Sequence, residues 1–356
     1  MPTAHWYTHP PARSWVCPPA PRDAAAFHAA LPGYAPSPLR ELPSLAVELG
    51  VRRVFVKDES SRLGLPAFKI LGASWAIHRA LAEAPGERLV TATDGNHGRA
   101  VARTARLLGL AAHVFVPDAV HPAATAAIEA EGARVTRVFG PYDDAVRDAA
   151  EEAGRAPGAV LIQDTALPGY TRIPGWITEG YGTLFGEIDA QLRALGAEPA
   201  GLVAVPVGVG SLAQAAVTHY RVPRDAPPPS LLGVEPDTAA CVLTSLTAGR
   251  PTTVPTGATV MAGLNCGTPS GAAWPVLRDG LDTAVAVTDA DSIRAARDLA
   301  ALGVSSGPCG AATLAGARAA FSAAERRAAL AEHADRTVVL LSTEGAEANP
   351  HAPNSH

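Results

Sequence analysis

The sequence predicts an α/β protein built from two open, mostly parallel, twisted sheets flanked by helices. Short runs rich in β-branched residues alternate with stretches rich in Ala, Leu and Arg that have helical periodicity. Nine such runs are strand candidates, which is more than one compact sheet of this length usually holds. The 356 residues are 47% apolar, enough for the cores of two domains.

The predicted elements follow one another along most of the chain. The strand candidates are short apolar runs bounded by turn residues, at 53–56, 89–92, 113–116, 135–139, 160–163, 202–207, 231–235, 284–288 and 337–342. The helix candidates have apolar residues at helical spacing, at 74–84, 99–108, 122–131, 143–154, 177–195, 212–220, 291–302 and 311–321.

Breaks that contain proline and glycine suggest the domain organisation. Those at 84–86 and 167–169 enclose four strand candidates and their helices. We therefore predict a small α/β domain, 85–169, inserted in a large cofactor-binding domain made of 1–84 and 170–356. A further break at 222–229 predicts a surface loop, because its prolines cannot supply the hydrogen bonds of a sheet.

Composition excludes several classes of function. The net charge is −5 and the arginines are scattered, so we expect no binding of nucleic acid. The chain shows no run of about 18 apolar residues and begins without a charged and then apolar leader, so we expect a cytoplasmic protein that does not enter membranes. The cysteines are far apart and lack histidines at ligand spacing, which predicts free thiols and no metal site: Cys17, Cys241, Cys266 and Cys309.

The chain has only two lysines, Lys57 and Lys69, against 27 arginines. A coding bias towards arginine explains this count as well as chemistry does. Chemistry would matter because an ammonium can lose its proton and form a Schiff base, whereas a guanidinium cannot. Lys69 lies between a charged loop and an apolar helix candidate, where burial would depress the pKa of its amine. Lys57 precedes Asp58 and Glu59, and an ion pair at the strand end is its favoured interpretation over catalysis.

Two turns between a strand and a helix carry residues suited to ligand binding. The first contains Asp94 and Asn96 at a position where open α/β sheets bind ligands, although both residues also suit an ordinary turn, and His97 could simply pack in the core. The second contains Gly208 and Gly210 before a helix whose free N–H groups could hold a phosphate. It lacks the third glycine of a dinucleotide site, so a small phosphorylated cofactor is better supported than a nucleotide.

Taken together, three segments resemble the pyridoxal-phosphate enzymes of the tryptophan-synthase-β fold (fold type II), and among these the diaminopropionate ammonia-lyase family. They are Phe68-Lys69-Ile70-Leu71-Gly72-Ala73, Thr93-Asp94-Gly95-Asn96-His97-Gly98 and Gly208-Val209-Gly210-Ser211-Leu212. The resemblance to that family also rests on Ala67 and Asp94, where many relatives have serine, and on segments 163–166, 173–176, 234–237, 261–267 and 341–345. It covers roughly residues 40–345.

The resemblance implies a cofactor, pyridoxal 5′-phosphate, and the residues that hold it. Lys69 would form the Schiff base and Asn96 would bind the 3′-oxygen, while Ser342 would face the pyridine nitrogen. The phosphate would be held by the amides of Gly208, Val209, Gly210, Ser211 and Leu212.

The catalytic residues implied are Lys69, Asp94 and Asp164, although the two aspartates could also be caps of a turn and a strand end. Lys69 or Asp94 would remove the α-proton, and Asp164 would favour departure of a protonated amine. The implied reaction is elimination of ammonia from 2,3-diaminopropionate, as the D or L enantiomer or both, to give pyruvate and ammonia. The enzyme would take a small amino acid as substrate and act as a homodimer.

Departures from the family pattern leave alternatives open. Gly307-Pro308-Cys309-Gly310 replaces the usual Gly-Glu-Ser-Gly, and Asn265, Thr268 and segment 346–348 also differ. The chain could therefore be another β-elimination or β-replacement enzyme, acting on serine, threonine, a hydroxyaspartate or an activated serine. It could also be a regulator that binds the cofactor without catalysis. Cys309 is a possible nucleophile, but a buried structural thiol is the favoured interpretation.

Overall fold

The computed structural model describes residues 6–19, 21, 23–140, 142–166 and 169–348. These residues form eleven strands: β1 (Trp6–Thr8), β2 (Leu39–Glu41), β3 (Arg53–Asp58), β4 (Arg88–Ala92), β5 (Ala111–Pro117), β6 (Arg134–Val138), β7 (Ala159–Leu161), β8 (Leu202–Pro206), β9 (Ser230–Pro236), β10 (Thr283–Val287) and β11 (Thr337–Ser342). They also form thirteen α-helices: α1 (Asp23–Ala29), α2 (Pro43–Leu49), α3 (Ile70–Glu83), α4 (Asn96–Leu108), α5 (Pro122–Glu129), α6 (Tyr142–Arg155), α7 (Arg172–Ala194), α8 (Ser211–Tyr220), α9 (Cys241–Ala248), α10 (Trp274–Gly280), α11 (Asp289–Ala301), α12 (Pro308–Ser322) and α13 (Ala324–Ala329).

The strands form two sheets, as predicted. The larger has seven strands in the order β1-β10-β9-β8-β11-β3-β2, and the smaller has four in the order β6-β5-β4-β7. Every pairing is parallel except those of the edge strands β1 and β2 in the larger sheet. The mostly parallel α/β fold is therefore confirmed.

Buried apolar side chains form three clusters around these sheets. One cluster runs through both sheets, since it contains Leu89 and Val114 of the smaller and Val203 and Leu231 of the larger. A second covers the other face of the larger sheet, and a third lies between the smaller sheet and α6. Sheets with parallel strands buried on both faces expose ligand sites only at their strand ends.

Helices α3 and α7 cross closely enough to fix the start of α3. A Cβ on Gly72 would lie 2.5 Å from Cε1 of Tyr181, and one on Gly180 would overlap the carbonyl of Leu71. Glycine is required at both positions because any side chain would force the helices apart. The crossing therefore fixes Lys69, the residue that directly precedes α3.

All nine predicted strands and all eight predicted helices are present, with ends that differ by a few residues. The edge strands β1 and β2, three residues each, and the helices α1, α2, α9, α10 and α13 were not predicted. The strands of the smaller sheet fall within 85–169, but the domain boundaries themselves stay a prediction, and Leu167 and Pro168 of the second break lie outside the described residues. The segment 222–229 is a loop, as expected.

Lys57 forms an ion pair, but not with its neighbours in sequence. Its Nζ donates to Glu187 on α7 at 2.6 Å, whereas Asp58 pairs with Arg40 and Glu59 pairs with Arg62. The predicted ion pair at the strand end is present, and its partner is Glu187 because the side chain of Lys57 points into the interior between β3 and α7. No helix within the described ranges is long and apolar enough to cross a bilayer.

Candidate active site

A cavity of about 720 Å³ opens where the carboxyl ends of strands from both sheets meet. Lys69 lies in its wall, Asp94 and Asn96 follow β4, Asp164 follows β7, and the segment 208–212 follows β8. Five parts of the chain that are distant in sequence, including 343–344 after β11, thus contribute to one wall. The cavity is where ligands bind in open parallel sheets.

Lys69 and Asp164 form an ion pair in this wall. Nζ of Lys69 donates to Oδ2 of Asp164 at 2.9 Å, and the lysine side chain retains 25% exposure towards the cavity. Burial disfavours the ammonium, but the Asp164 carboxylate outweighs burial and raises the pKa of Lys69 above its usual value. The expectation of a depressed pKa is therefore wrong, because the buried carboxylate stabilises the charged form.

The surroundings of Asp94 favour its uncharged form, in contrast to those of Lys69, which favour the charged form. Burial, and next the negative charge of Asp164, raise the pKa of Asp94 to about 7. Asp164 itself stays ionised, since Lys69 and His97 outweigh the effect of burial and lower its pKa. Two carboxyl groups whose environments separate their pKa values can serve as a proton acceptor and a permanent charge.

Asn96 begins α4 and is held at the cavity by a tight turn. Thr93 Oγ1 accepts hydrogen bonds from the backbone N–H groups of Gly95 at 2.9 Å and Gly98 at 3.0 Å. The Asn96 amide Nδ2 donates to Oε2 of Glu344 at 2.7 Å. His97 is buried beside this turn, with Nε2 2.8 Å from the carbonyl of Ile162 and Nδ1 3.9 Å from Asp164 Oδ2.

The segment 208–212 forms a backbone cradle at the start of α8. Gly210 precedes the helix with φ of 104°, and a Cβ there would lie 2.6 Å from Cδ1 of Leu277. Backbone N–H groups at a helix N-terminus that lines a cavity suit a phosphate group, because the donors are unpaired within the helix and the helix dipole attracts anions. The predicted cradle residues line the cavity together.

The profile of the family of pyridoxal-phosphate dependent enzymes matches residues 30–343 of the chain. The chain belongs to this family.

The chain is 38% identical over 293 residues to a diaminopropionate ammonia-lyase of Salmonella typhimurium, covering 75% of this chain and 72% of that protein. It is 37% identical over 356 residues to a diaminopropionate ammonia-lyase of Escherichia coli K12, covering 90% of this chain and 87% of the relative. The crystal structure of the E. coli enzyme in complex with an aminoacrylate-PLP azomethine reaction intermediate superposes with a TM-score of 0.84 at 33% identity, covering 94% and 91% of the two chains. Within the pyridoxal-phosphate enzymes, the chain lies with the diaminopropionate ammonia-lyases.

The residues of the cavity fit pyridoxal 5′-phosphate, which is the cofactor of this family. An amine at one side of the cavity and a glycine cradle at another provide partners for an aldehyde and a phosphate in one space. The position of Ser342 supports its predicted role less directly. It is buried, directly precedes Thr343 in the cavity wall, and its Oγ lies 2.8 Å from Oγ of Ser306. Its contact with a pyridine nitrogen stays a prediction.

Several cavity residues were not predicted as site residues. Glu344 was noted only as part of a motif, and no local pattern indicated that its carboxylate would contact Asn96. Tyr142 follows the smaller sheet's edge and accepts a hydrogen bond from Gln163 Nε2 at 2.7 Å. Asn265 and Thr268, two departures from the family pattern, do line the cavity.

The four cysteines are unpaired, as predicted. Cys266 and Cys309 line the cavity. Burial raises the pKa of Cys266 to about 12, and burial together with Glu344 raises the pKa of Cys309 well above its usual range. Both thiols therefore keep their protons, which argues against Cys309 as a nucleophile because the thiolate is the reactive form.

Proposed function

We propose that this enzyme eliminates both amino groups of 2,3-diaminopropionate, so that one substrate and one water give pyruvate and two ammonia molecules. The observation that carries this proposal is the charge of the cavity wall. Its described lining contains four carboxyl groups, those of Asp94, Asp143, Asp164 and Glu344, and one lysine, Lys69, with no arginine. A substrate that brings two ammonium groups complements this wall better than a substrate with a second carboxylate.

Lys69 is proposed as the cofactor lysine and as one of two bases. Pyridoxal phosphate supplies an electron sink that makes the α-proton of an amino acid removable. Lys69 takes that proton from one enantiomer and Asp94 takes it from the other. The pKa of Asp94, raised to about 7, supports its role because a general base works best near the operating pH.

Asp164 is proposed to favour departure of the β-amine. Its pKa lies below the usual range, so it is a carboxylate at every physiological pH. A fixed negative charge in the cavity holds a proton on the neighbouring leaving amine, and ammonia leaves more readily than an amide anion. The 2.9 Å contact with Lys69 supports this role, because it places the carboxylate within the reach of a group bound at the lysine's position.

The test is to incubate the holoenzyme with D- and L-2,3-diaminopropionate and to measure pyruvate and ammonia together. We expect two ammonia molecules for each pyruvate. Asp164→Asn should reduce the rate, while the matched control Asp279→Asn, a surface carboxylate paired with Arg278, should not. Absence of pyruvate from both enantiomers would reject the proposed substrate.

A second candidate is dehydration of serine or threonine. Cys309, Asn265 and Thr268 lie in the cavity wall and depart from the family pattern, so part of the wall differs from the one that pattern implies. The crystal structure of a threonine deaminase also superposes with a TM-score of 0.78 at 28% identity. The same assay with serine and with threonine in place of diaminopropionate separates the candidates, since the substrate with the highest kcat/KM identifies the reaction. A hydroxyaspartate is disfavoured by the carboxylates of the wall.

We also propose that the enzyme is a homodimer in the cytoplasm, as the resemblance implies. Light scattering on the purified holoenzyme measures its mass directly. A monomer mass near 36.4 kDa at micromolar concentration would reject the dimer.

A further inference from the structure

The segment that follows β11 is fastened to the segment that precedes Lys69. The N–H of Phe68 donates to the carbonyl of Thr343 at 3.2 Å, and the N–H of Gly345 donates to that of Pro66 at 2.9 Å. Ala67 and Glu344 form the antiparallel bridge between these hydrogen bonds. The backbone of Glu344 therefore has a fixed position relative to Lys69.

The Glu344 carboxylate is buried in a space that depends on a glycine. The residue is 2% exposed, and its carbonyl accepts a hydrogen bond from the N–H of Gly307 at 2.9 Å. A Cβ on residue 307 would lie 2.8 Å from Oε1 and 3.0 Å from Cγ of Glu344. The carboxylate thus occupies the volume that a side chain at position 307 would need.

The amide of Asn96 is a partner of this carboxylate. Nδ2 of Asn96 donates to Oε2 of Glu344 at 2.7 Å, although the two residues are 248 positions apart in sequence. Oε2 of Glu344 accepts this hydrogen bond, whereas a primary amide has two N–H donors on one side and an acceptor on the other. Glu344 therefore determines which way the amide faces, and it leaves the second N–H of Nδ2 available.

We propose that Glu344 is a positioning residue, which locks the Asn96 amide so that an N–H, and not the amide oxygen, faces the 3′-oxygen of pyridoxal phosphate. This inference rests on the cofactor role proposed for Asn96. It does not require that diaminopropionate is the substrate. With the amide reversed, two oxygens would face each other and cofactor binding would weaken.

The first measurement is the dissociation constant of pyridoxal phosphate, from fluorescence titration of the apoenzyme. Glu344→Gln should raise it about tenfold, because a glutamine can offer either an oxygen or an NH₂ and no longer fixes the amide. Glu347→Gln is the matched control, since Glu347 is exposed and lies three positions later. It should leave the constant unchanged.

The second measurement separates positioning from a general structural role. Asn96→Ala removes the amide, so Glu344→Gln should have no further effect on cofactor affinity in that background. A structural role of Glu344 would make the two effects add. Additive effects, or an unchanged dissociation constant in Glu344→Gln alone, would overturn the proposal.

Two further readouts keep the outcome interpretable. If Glu344→Gln does not fold, Glu344→Asp keeps the carboxyl group but shortens the side chain, and the same cycle with Asn96→Ala applies. The visible absorbance of the bound cofactor should shift in Glu344→Gln and not in Glu347→Gln, because the 3′-oxygen is part of the chromophore. Failure of the enzyme to act on diaminopropionate would leave these binding results intact, so the two proposals fail separately.

Discussion

The two lysines of this chain occupy environments that differ in one decisive respect. Lys57 has no exposed side-chain surface, and its ammonium donates to the Ser37 carbonyl, Glu187 and Gln191 at 2.6–2.8 Å. Lys69 pairs with Asp164 and keeps a quarter of its side chain exposed at the cavity. Three N–H groups with three acceptors leave an ammonium nothing to react with, whereas an open side leaves room for a cofactor.

Their pKa values also move in opposite directions. Burial lowers the pKa of Lys57, in spite of the opposing charges of Glu187 and Glu59. Asp164 overcomes burial and raises the pKa of Lys69. A lowered amine pKa is thus found at the structural lysine and a raised one at the proposed catalytic lysine. The direction of a pKa shift alone would have selected Lys57, whereas access to the cavity selects the proposed cofactor lysine, Lys69.

The largest effect that would test this comparison is expected from Lys69→Ala. The variant should lose at least about 10⁴-fold in kcat/KM, because no other residue of the described cavity wall offers an amine. It should also lose the yellow absorbance of the holoenzyme while keeping its far-ultraviolet circular dichroism. Lys69→Arg keeps the charge and tests the chemistry; full activity in Lys69→Arg would refute the assignment.

The corresponding change at Lys57 should lower the stability of the fold and leave catalytic activity nearly unchanged. Lys57→Met leaves the buried Glu187 carboxylate with Arg62 but without its ammonium partner, and should cost about 3 kcal/mol in the free energy of unfolding. Urea denaturation measures this cost. Activity per folded molecule should stay within about twofold, and a far greater loss of kcat at full folding would show that Lys57 takes part in catalysis.

Asp164→Asn sharpens the comparison, since it removes the feature that separates the two lysines electrostatically. The pKa of Lys69 should fall, and kcat for diaminopropionate should drop by about 10²–10³-fold as the charge near the leaving amine is lost. Steady-state kinetics of both variants and the surface control Asp279→Asn give the comparison. Equal kcat in Asp164→Asn and the control would remove Asp164 from the mechanism.

The smallest effect is the dependence of kcat/KM of the unmodified enzyme on pH. Because the pKa of Asp94 is raised to about 7, Asp94 keeps its proton below that pH and becomes a base above it. For the enantiomer that Asp94 serves, kcat/KM should rise with pH up to about 7 and then level off. Profiles for D- and L-diaminopropionate measured side by side test this, and Asp94→Asn should abolish the rate with one enantiomer only. Equal loss with both would mean that Asp94 does not serve one face of the substrate.

The sequence predicted nine of the eleven described strands, including the edge strands β6 and β7, because their apolar and β-branched runs leave a strong local pattern. It did not predict β1 and β2, whose three residues each pair antiparallel at sheet edges and depend on tertiary contacts. The site likewise divides into residues that local motifs predict and partners that only the tertiary fold reveals. Lys69, Asp94 and Asn96 lie in recognisable motifs, but the partners Glu187 of Lys57 and Glu344 of Asn96 are 130 and 248 positions away.

Helix α7 makes the two lysines dependent on one element. Its Gly180 lets α3 approach and fixes Lys69, while Glu187 and Gln191, about two and three turns further on, hold Lys57. A larger residue at position 180 would displace α3 from α7 and disturb both contacts together. At position 180 stability and catalysis are therefore coupled, and a mutational scan of α7 should find that substitutions there lower both properties together.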